Sequence, residues 1–233
     1  SLVFRFMLKL KRAEHALRSM FIRTGRAIQS DVLHGFSIFR FELQCFVRIL
    51  QSYILHHGLR GTGEDDFDER IQKAAFTDLD DLRAAHTRAL SETMNRCLLK
   101  PAQKPIMTVV DAILALVLKL GIGVQHVVAH QAELEMLRLQ TAPSPSAMSE
   151  DEEGDGADAM QTSYDDEQEA TALRVRFLDD KTTQLMNDVL TQQTLFCQYL
   201  GFLYRILKEM EAKGGHGYLQ PLLKEFQVLS AVR

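Results

Sequence analysis

Apolar residues recur every three or four positions along most of the chain, which is the period of an amphipathic α-helix. The first such stretch predicts a helix from about Leu2 to Arg23. Its buried stripe is expected to consist of Phe6, Leu10, Ala13, Leu17, Met20 and Phe21. No long stretch alternates apolar and polar residues, and all five prolines lie between or at the ends of helical patterns. The pattern therefore predicts an all-α protein, a helical bundle of about five main helices.

A second helix is predicted from Ser30 or Asp31, either of which suits an N-cap, to about His57. Apolar residues repeat along it at seven-residue intervals and form an aromatic-rich seam. The seam consists of Phe36, Phe39, Leu43, Phe46, Leu50 and Tyr53. The glycine-rich segment Gly58–Gly63 is expected to end this helix.

The region that follows is predicted to be less regular. Glu64–Glu69 is expected to form a flexible acidic turn, and Ile71–Phe76 a short helical piece. A third helix is predicted after an N-cap at Thr77 or Asp78, with acidic residues in its first turn where the helix dipole favours them. One face of it carries Leu79, Leu82, His86, Leu90, Met94 and Cys97. On that face, His86 is expected to be buried and hydrogen-bonded rather than to act as a base or ligand.

The fourth predicted helix begins after Pro105 and ends near Leu139. It is apolar on nearly all sides from Ile106 to Val128, which favours a central position in the bundle. That run contains charged and polar residues and two glycines. A core helix is therefore favoured over a membrane span.

A long acidic insertion is predicted between the fourth and fifth helices. Thr141–Ala170 holds ten Asp or Glu and no Lys or Arg. Its sequence cannot bury enough apolar surface to offset the entropy of ordering, about 1–2 kcal/mol per residue for the backbone, so disorder is expected. The predicted domain organisation is thus a first part of the bundle (1–140), a disordered linker (141–170) and a second part completing the same bundle (171–233).

The second part of the bundle is predicted to contain a long helix and a short one. The long helix runs from about Ala172 to Lys213, and the short one from about Leu219 to Leu229. The core stripe of the long helix is expected to consist of Leu178, Leu185, Val189, Phe196, Leu200, Leu203, Leu207 and Met210. The chain opens with apolar residues that are predicted to start inside or just before a helix, so we expect it to be a piece of a longer protein.

Composition indicates the compartment. The three cysteines, Cys45, Cys97 and Cys197, are far apart and form no CxxC pair. This argues against a disulfide framework and a zinc cluster, and it fits the cytosol or nucleus. No signal peptide is recognised. The net charge of −4 conceals a mildly basic bundle beside the acidic insertion.

Candidate chemistry is sparse. His126 and His130 are four residues apart, and Glu133 follows one turn later, but a solvated helix end is favoured over a metal site. Neither a phosphate-binding loop nor a nucleophile elbow is present in the sequence. We therefore expect no enzyme activity, no metal and no cofactor.

Two basic stripes flank the buried stripe of the first helix. One consists of Arg5, Lys9 and Arg12, and the other of Lys11, His15 and Arg18. Glu14 can pair with Arg18 at the i+4 position. The basic residues fit a solvated helix face or a partner surface, and the partner would be an acidic protein or nucleic acid.

Five collinear segments resemble the C-terminal conserved half of gamma-tubulin complex proteins. The first contains FRFMLKLKRAEHAL, the second DLDDLRAAH and the third RCLL. In order, the segments are Phe4–Leu17, Asp78–His86, Arg96–Leu99, Gln198–Met210 and Tyr218–Leu223. The chain departs from the family by lacking tryptophan, which family members often carry at the end of the first helix and in the loop after the second.

The resemblance implies a helical bundle that holds one gamma-tubulin molecule for microtubule nucleation. It also implies a place in the cytoplasm and cytoskeleton, at a microtubule-organising centre such as a spindle pole body or centrosome. Other gamma-tubulin complex proteins would be bound through an N-terminal half outside this chain, and neither nucleic acid nor membrane would be a partner. The candidate contacts with gamma-tubulin are Lys9, Lys11, Arg12, His15 and Arg18. The alternative is a helical adaptor of another family that binds nucleic acid through the basic helix faces.

Overall fold

The computed structural model describes residues 2–20, 30–59, 62–73, 75–141, 157–214 and 216–231. Within these ranges all regular structure is helical, which confirms the predicted all-α class. The α-helices are α1 (Leu2–Ser19), α2 (Ser30–Tyr53), α3 (Thr62–Gln72), α4 (Leu79–Arg96), α5 (Lys104–Thr141), α6 (Ala157–Ala212) and α7 (Gln220–Ala231). A π-helical turn, Ile54–Leu59, follows α2, and short 3-10 turns precede α5 and α7.

An aromatic cluster joins α2, α6 and α7 at the centre of the bundle. The rings of Phe39 and Phe46 lie 6.0 and 5.9 Å from the ring of Phe196. Phe46 also stacks on Phe226, with 5.6 Å between the ring centroids. The predicted seam of α2 is confirmed, because all six of its residues are buried.

Helix α1 packs against α2 and α5. The predicted stripe is buried from Phe6 to Met20, whereas Phe21 lies outside the described residues. Helices α1 and α5 run in the same direction: Lys9 contacts Asp111, and Met20 lies beside Gly121. The two helices therefore share one edge of the bundle.

Helix α5 is buried along one side and exposed along another. Residues such as Ile113 and Val117 are fully buried, but Leu118 and Ile122 are 45% and 57% exposed. The stretch Leu79–His130, which contains most of α5, includes a helix long and apolar enough to cross a membrane by length and composition alone. Core helices pass the same test, and α5 packs against α1 and α6.

Helix α6 starts at Ala157 rather than at the predicted Ala172, so the later part of the predicted linker has a helical backbone. Half of the residues from 157 to 170 are Ala, Gln or Glu, which favour helices. Residues 142–156 of the predicted insertion lie outside the described residues, and the division of the chain into these three parts stays a prediction. The described part of the predicted α6 stripe is buried from Val189 to Leu207, with Met210 half-buried. The side chains of Leu178 and Leu185 lie outside the described set.

Three predictions for α3, α4 and the segment between them are wrong. Glu64–Glu69 lies within α3 rather than in a flexible turn, and no separate helix covers Ile71–Phe76. Acidic residues suit the first turns of a helix because they face its positive end. His86 is exposed, although its ring lies 5.7 Å from that of Phe67. Helix α4 packs mainly against α3 and the π-helical turn, and the contact with Phe67 of α3 covers His86 only in part.

The start of α4 agrees with prediction, since Asp78 caps it by accepting a hydrogen bond from the amide of Asp81 at 2.7 Å. Its end is a Schellman motif in the RCLL segment. Leu98 has a φ of 62°, and the amide of Leu99 donates to the carbonyl of Met94 at 2.9 Å, as this motif requires.

The RCLL segment is anchored to the end of α2. The Tyr53 hydroxyl donates to the Arg96 carbonyl at 2.9 Å, and burial raises the pKa of Tyr53. Cys97 is fully buried against Gly58 in the π-helical turn. These contacts give RCLL a structural role in joining α4 to the bundle.

We expect Gly58→Ala to lower the free energy of unfolding by about 1–3 kcal/mol, the usual cost of overpacking. A methyl group at position 58 would lie 2.8 Å from Cys97 Sγ. Urea unfolding measures the effect, and Gly35→Ala is the matched control because a methyl group there meets nothing within 4 Å. In a Cys97→Ala background the cost of Gly58→Ala should shrink. An undiminished cost would show that Cys97 is not the obstacle.

Candidate partner-binding surface

All five predicted contact residues lie on the outer side of α1 and are exposed. They are Lys9, Lys11, Arg12, His15 and Arg18. The buried stripe of the same helix faces α2 and α5. The structure thus brings the five residues onto one accessible helix, but their side chains differ in what they already bind.

Lys11 and Arg18 form ion pairs with Glu14. Lys11 Nζ lies 2.8 Å from Glu14 Oε2, and Arg18 Nη2 lies 2.6 Å from Glu14 Oε1. The second contact confirms the predicted pair with Arg18. From α2, the side-chain amide of Gln51 donates to Glu14 Oε2 at 3.0 Å. The Glu14 side chain is only 12% exposed, so this network fixes α1 against α2.

The hydrogen bonds from Lys11 and Gln51 lower the pKa of Glu14 below its ordinary value of 4.5, and burial opposes them. A carboxyl group with a lowered folded-state pKa stabilises the fold above its ordinary pKa. That contribution is lost as the pH falls through the lowered value.

Glu14→Gln should therefore lower the free energy of unfolding at neutral pH by about 1 kcal/mol. It should also flatten the loss of stability below pH 4.5. Urea unfolding over a pH series measures both effects, with Glu209→Gln on the exposed side of α6 as the control. A variant whose stability falls with acid as steeply as the parent would exclude Glu14 as the responsible group.

Lys9 and Arg12 border a groove between α1 and α5. Lys9 Nζ donates to both carboxylate oxygens of Asp111, at 2.8 and 2.9 Å. The groove beside this pair has a volume of about 300 Å³. Its lining consists of Lys9, Arg12, Ala13, Asp111, Leu114, Ala115 and Leu118. The polar rim and apolar floor suit a side chain from a partner.

Arg12 and His15 form no ion pair with any of the residues that the structure describes. They therefore differ from Lys9, Lys11 and Arg18, whose charges are already partly neutralised. If α1 meets an acidic partner, Arg12 and His15 can respond to it without giving up an ion pair to any described residue.

Two large apolar residues of this surface were missed in the sequence analysis. Phe4 and Leu8 are 68% and 50% exposed. Their signal was present in the sequence, because both are large apolar residues that fall outside the predicted buried stripe. We call the outer side formed by Phe4, Leu8, Lys11, Arg12 and His15 the α1 face.

Of the candidate metal ligands His126, His130 and Glu133 near the end of α5, Glu133 already forms an ion pair. Glu133 accepts hydrogen bonds from Arg174 Nε and Nη2 of α6, at 3.0 and 2.6 Å. No group of three metal-ligating side chains occurs among the described residues. The absence of a metal and of a cofactor stays a prediction.

The fold and the α1 face define an all-helical domain with an accessible basic surface, and comparison with known proteins gives its family. The family profile described as "Gamma tubulin complex component C-terminal" matches residues 1–226. The chain therefore belongs to the gamma-tubulin complex component family, whose members are structural scaffolds of the cytoskeleton.

Individual relatives agree with this assignment. Over 123 residues the chain is 31% identical to gamma-tubulin complex component 6 of Homo sapiens. It is 28% identical to the Mus musculus protein of the same name over the same length. Each alignment covers 50% of this chain and 7% of the relative.

Proposed function

We propose that this domain binds gamma-tubulin and holds it for microtubule nucleation at a microtubule-organising centre. The observation that carries the proposal is the family match over nearly the whole chain, residues 1–226. The α1 face supports it, because it offers positive charge and exposed apolar area on one side of a rigid helix. The domain acts as a scaffold in this proposal, and any nucleotide chemistry belongs to gamma-tubulin.

The basic residues of α1 divide into two roles in this proposal. Arg12 and His15 contact acidic groups of gamma-tubulin directly and steer its approach. Lys11 and Arg18 share the one carboxylate of Glu14 and so leave a net positive charge beside the contact, whereas Lys9 is paired with Asp111. This division follows from the ion pairs and assigns the largest binding effects to Arg12 and His15.

A pull-down with purified gamma-tubulin tests the proposal. The chain should retain gamma-tubulin, and a version without residues 142–156 should retain it equally if that segment is a spacer. Failure of both folded proteins to bind would contradict the proposal.

Nucleic acid is the alternative partner, because α1 exposes six basic side chains and its one acidic side chain is buried. Binding to DNA or RNA through phosphates would weaken steeply between low and moderate salt. Salt-sensitive binding to nucleic acid together with no retention of gamma-tubulin would favour an adaptor of that kind.

A further inference from the structure

Phe4 and Leu8 form the N-terminal end of the α1 face. They are four residues apart, and Lys11, Arg12 and His15 follow at intervals that place them on the same side of a helix. The opposite side, which includes Leu10 and Leu17, is buried in the core. Because that side is fixed, α1 cannot rotate to bury Phe4 and Leu8 within this domain.

The exposed charge on α1 itself has one sign, and the nearest acidic group described across the groove, Asp111, is paired with Lys9. The exposed charged residues of α1 are all basic, and its one acidic residue, Glu14, is buried and bonded to Lys11, Arg18 and Gln51. Single exposed apolar residues are common on protein surfaces and need no explanation. Two large ones on adjacent turns, with basic residues beside them and beyond them on the same helix, combine the apolar and polar parts of a binding surface.

The groove between α1 and α5 extends this surface. It has a volume of about 300 Å³ and is bordered by Arg12 and Leu118. Leu118 and Ile122 are 45% and 57% exposed, so apolar area continues from the groove along α5. Binding energy at protein interfaces concentrates where side chains fill such pockets.

We propose that Phe4 and Leu8 are the apolar anchors of the gamma-tubulin contact, and that they bind an amphipathic segment of gamma-tubulin carrying acidic side chains beside its apolar ones. This inference rests on the proposed function. The acidic groups of the segment lie against Arg12 and His15, and one of its apolar side chains enters the α1–α5 groove. The basic charge of the α1 face favours an acidic partner. The exposed ring of Phe4 and the methyl groups of Leu8 favour a protein surface over a phosphate backbone.

The test compares two matched pairs of substitutions in the whole chain. Phe4→Ala with Leu8→Ala removes the proposed anchors. Leu173→Ala with Phe177→Ala removes an equally spaced pair on α6 that is 60% and 59% exposed. The control pair lies beside Arg174 of α6, which forms an ion pair with Glu133 of α5. Glu133 lies beyond the part of α5 that contacts Lys9 and Met20, which includes Asp111 and Gly121.

The dissociation constant for purified gamma-tubulin is measured for both variants over a salt series. Loss of the anchors should weaken binding at least about tenfold while leaving the salt dependence unchanged, because apolar burial is not screened by ions. The control pair should leave the affinity unchanged. Circular dichroism during heating should give the same unfolding temperature for the parent and both variants.

The contrary outcomes separate the two proposals. Parent-like binding by the anchor variant would overturn the inference and leave gamma-tubulin binding intact. No binding by the parent chain would overturn the proposed function and the inference with it.

A basic and apolar helix face also suits anionic lipid, so binding of the parent and both variants to vesicles containing phosphatidylserine is measured as well. Vesicle binding that requires Phe4 and Leu8, with gamma-tubulin binding unaffected, would reassign this surface to a membrane.

Discussion

Replacing Phe196 by alanine is expected to lower the free energy of unfolding by about 3–5 kcal/mol. Phe196 is fully buried and contacts the rings of both Phe39 and Phe46, so it joins α6 to α2 at the centre of the aromatic cluster. Truncation removes the buried ring and leaves a cavity that a close-packed core cannot fully close. A loss of this size is a large share of the stability of a typical domain, about 5–15 kcal/mol.

Equilibrium unfolding in urea measures this loss. Phe202→Ala is the matched control because it removes the same side chain from the same helix at a position that is 47% exposed. The control should change the free energy of unfolding by no more than about 0.5 kcal/mol. Equal losses in the two variants would mean that the cluster around Phe196 does not form the core.

Reversing the charge at Arg12 and adding a negative charge at His15 should weaken gamma-tubulin binding at least about tenfold. The double variant Arg12→Glu with His15→Glu places two carboxylates on the α1 face without breaking an ion pair within the described residues. The effect should shrink as salt rises, because exposed charges are screened. This salt dependence distinguishes it from the effect of removing Phe4 and Leu8.

The choice of residues for this experiment follows from the Glu14 network. Glutamate at position 11 or 18 would lie beside buried Glu14 and destabilise the fold by like-charge repulsion. A loss of binding in such a variant would not show whether the contact with gamma-tubulin or the stability of the fold had been lost. The control for the double variant is Lys208→Glu with Lys224→Glu, which changes exposed lysines on α6 and α7. Parent-like affinity of Arg12→Glu with His15→Glu would exclude these residues from the contact.

The sequence predicted the helices whose buried faces have a clear period. The stripe of α1 and the aromatic seam of α2 are buried as expected. Periodicity identifies an apolar face, but it does not reveal whether another helix covers that face. This is why His86 was predicted to be buried, whereas in the structure it is exposed together with Leu79 and Leu90.

Local composition misled the prediction for α3. Its acidic residues and the neighbouring glycines are typical of a turn, but acidic residues also stabilise the first turns of a helix. The helix spans Thr62–Gln72 and packs against α4. There Arg70 pairs with Asp81 at 3.2 Å and lies 4.6 Å from the ring centroid of Phe76, and neither contact is visible in sequence spacing.

The candidate surface was predicted in part. The basic residues of α1 and the pairing of Glu14 with Arg18 follow from helical spacing. The contact of Lys9 with Asp111 joins residues 102 positions apart, and that of Gln51 with Glu14 joins residues 37 apart. Such contacts depend on how the helices pack. They decide which basic side chains are engaged within the domain and leave Arg12 and His15 as the stronger candidates for a partner.

Sedimentation velocity of this chain mixed with purified gamma-tubulin is the most direct test of the central claim. The account predicts a new, faster boundary whose mass corresponds to one chain and one gamma-tubulin. That boundary should decrease for Arg12→Glu with His15→Glu and for Phe4→Ala with Leu8→Ala. Separate boundaries for the folded chain and gamma-tubulin at micromolar concentrations would contradict the claim that this domain holds gamma-tubulin.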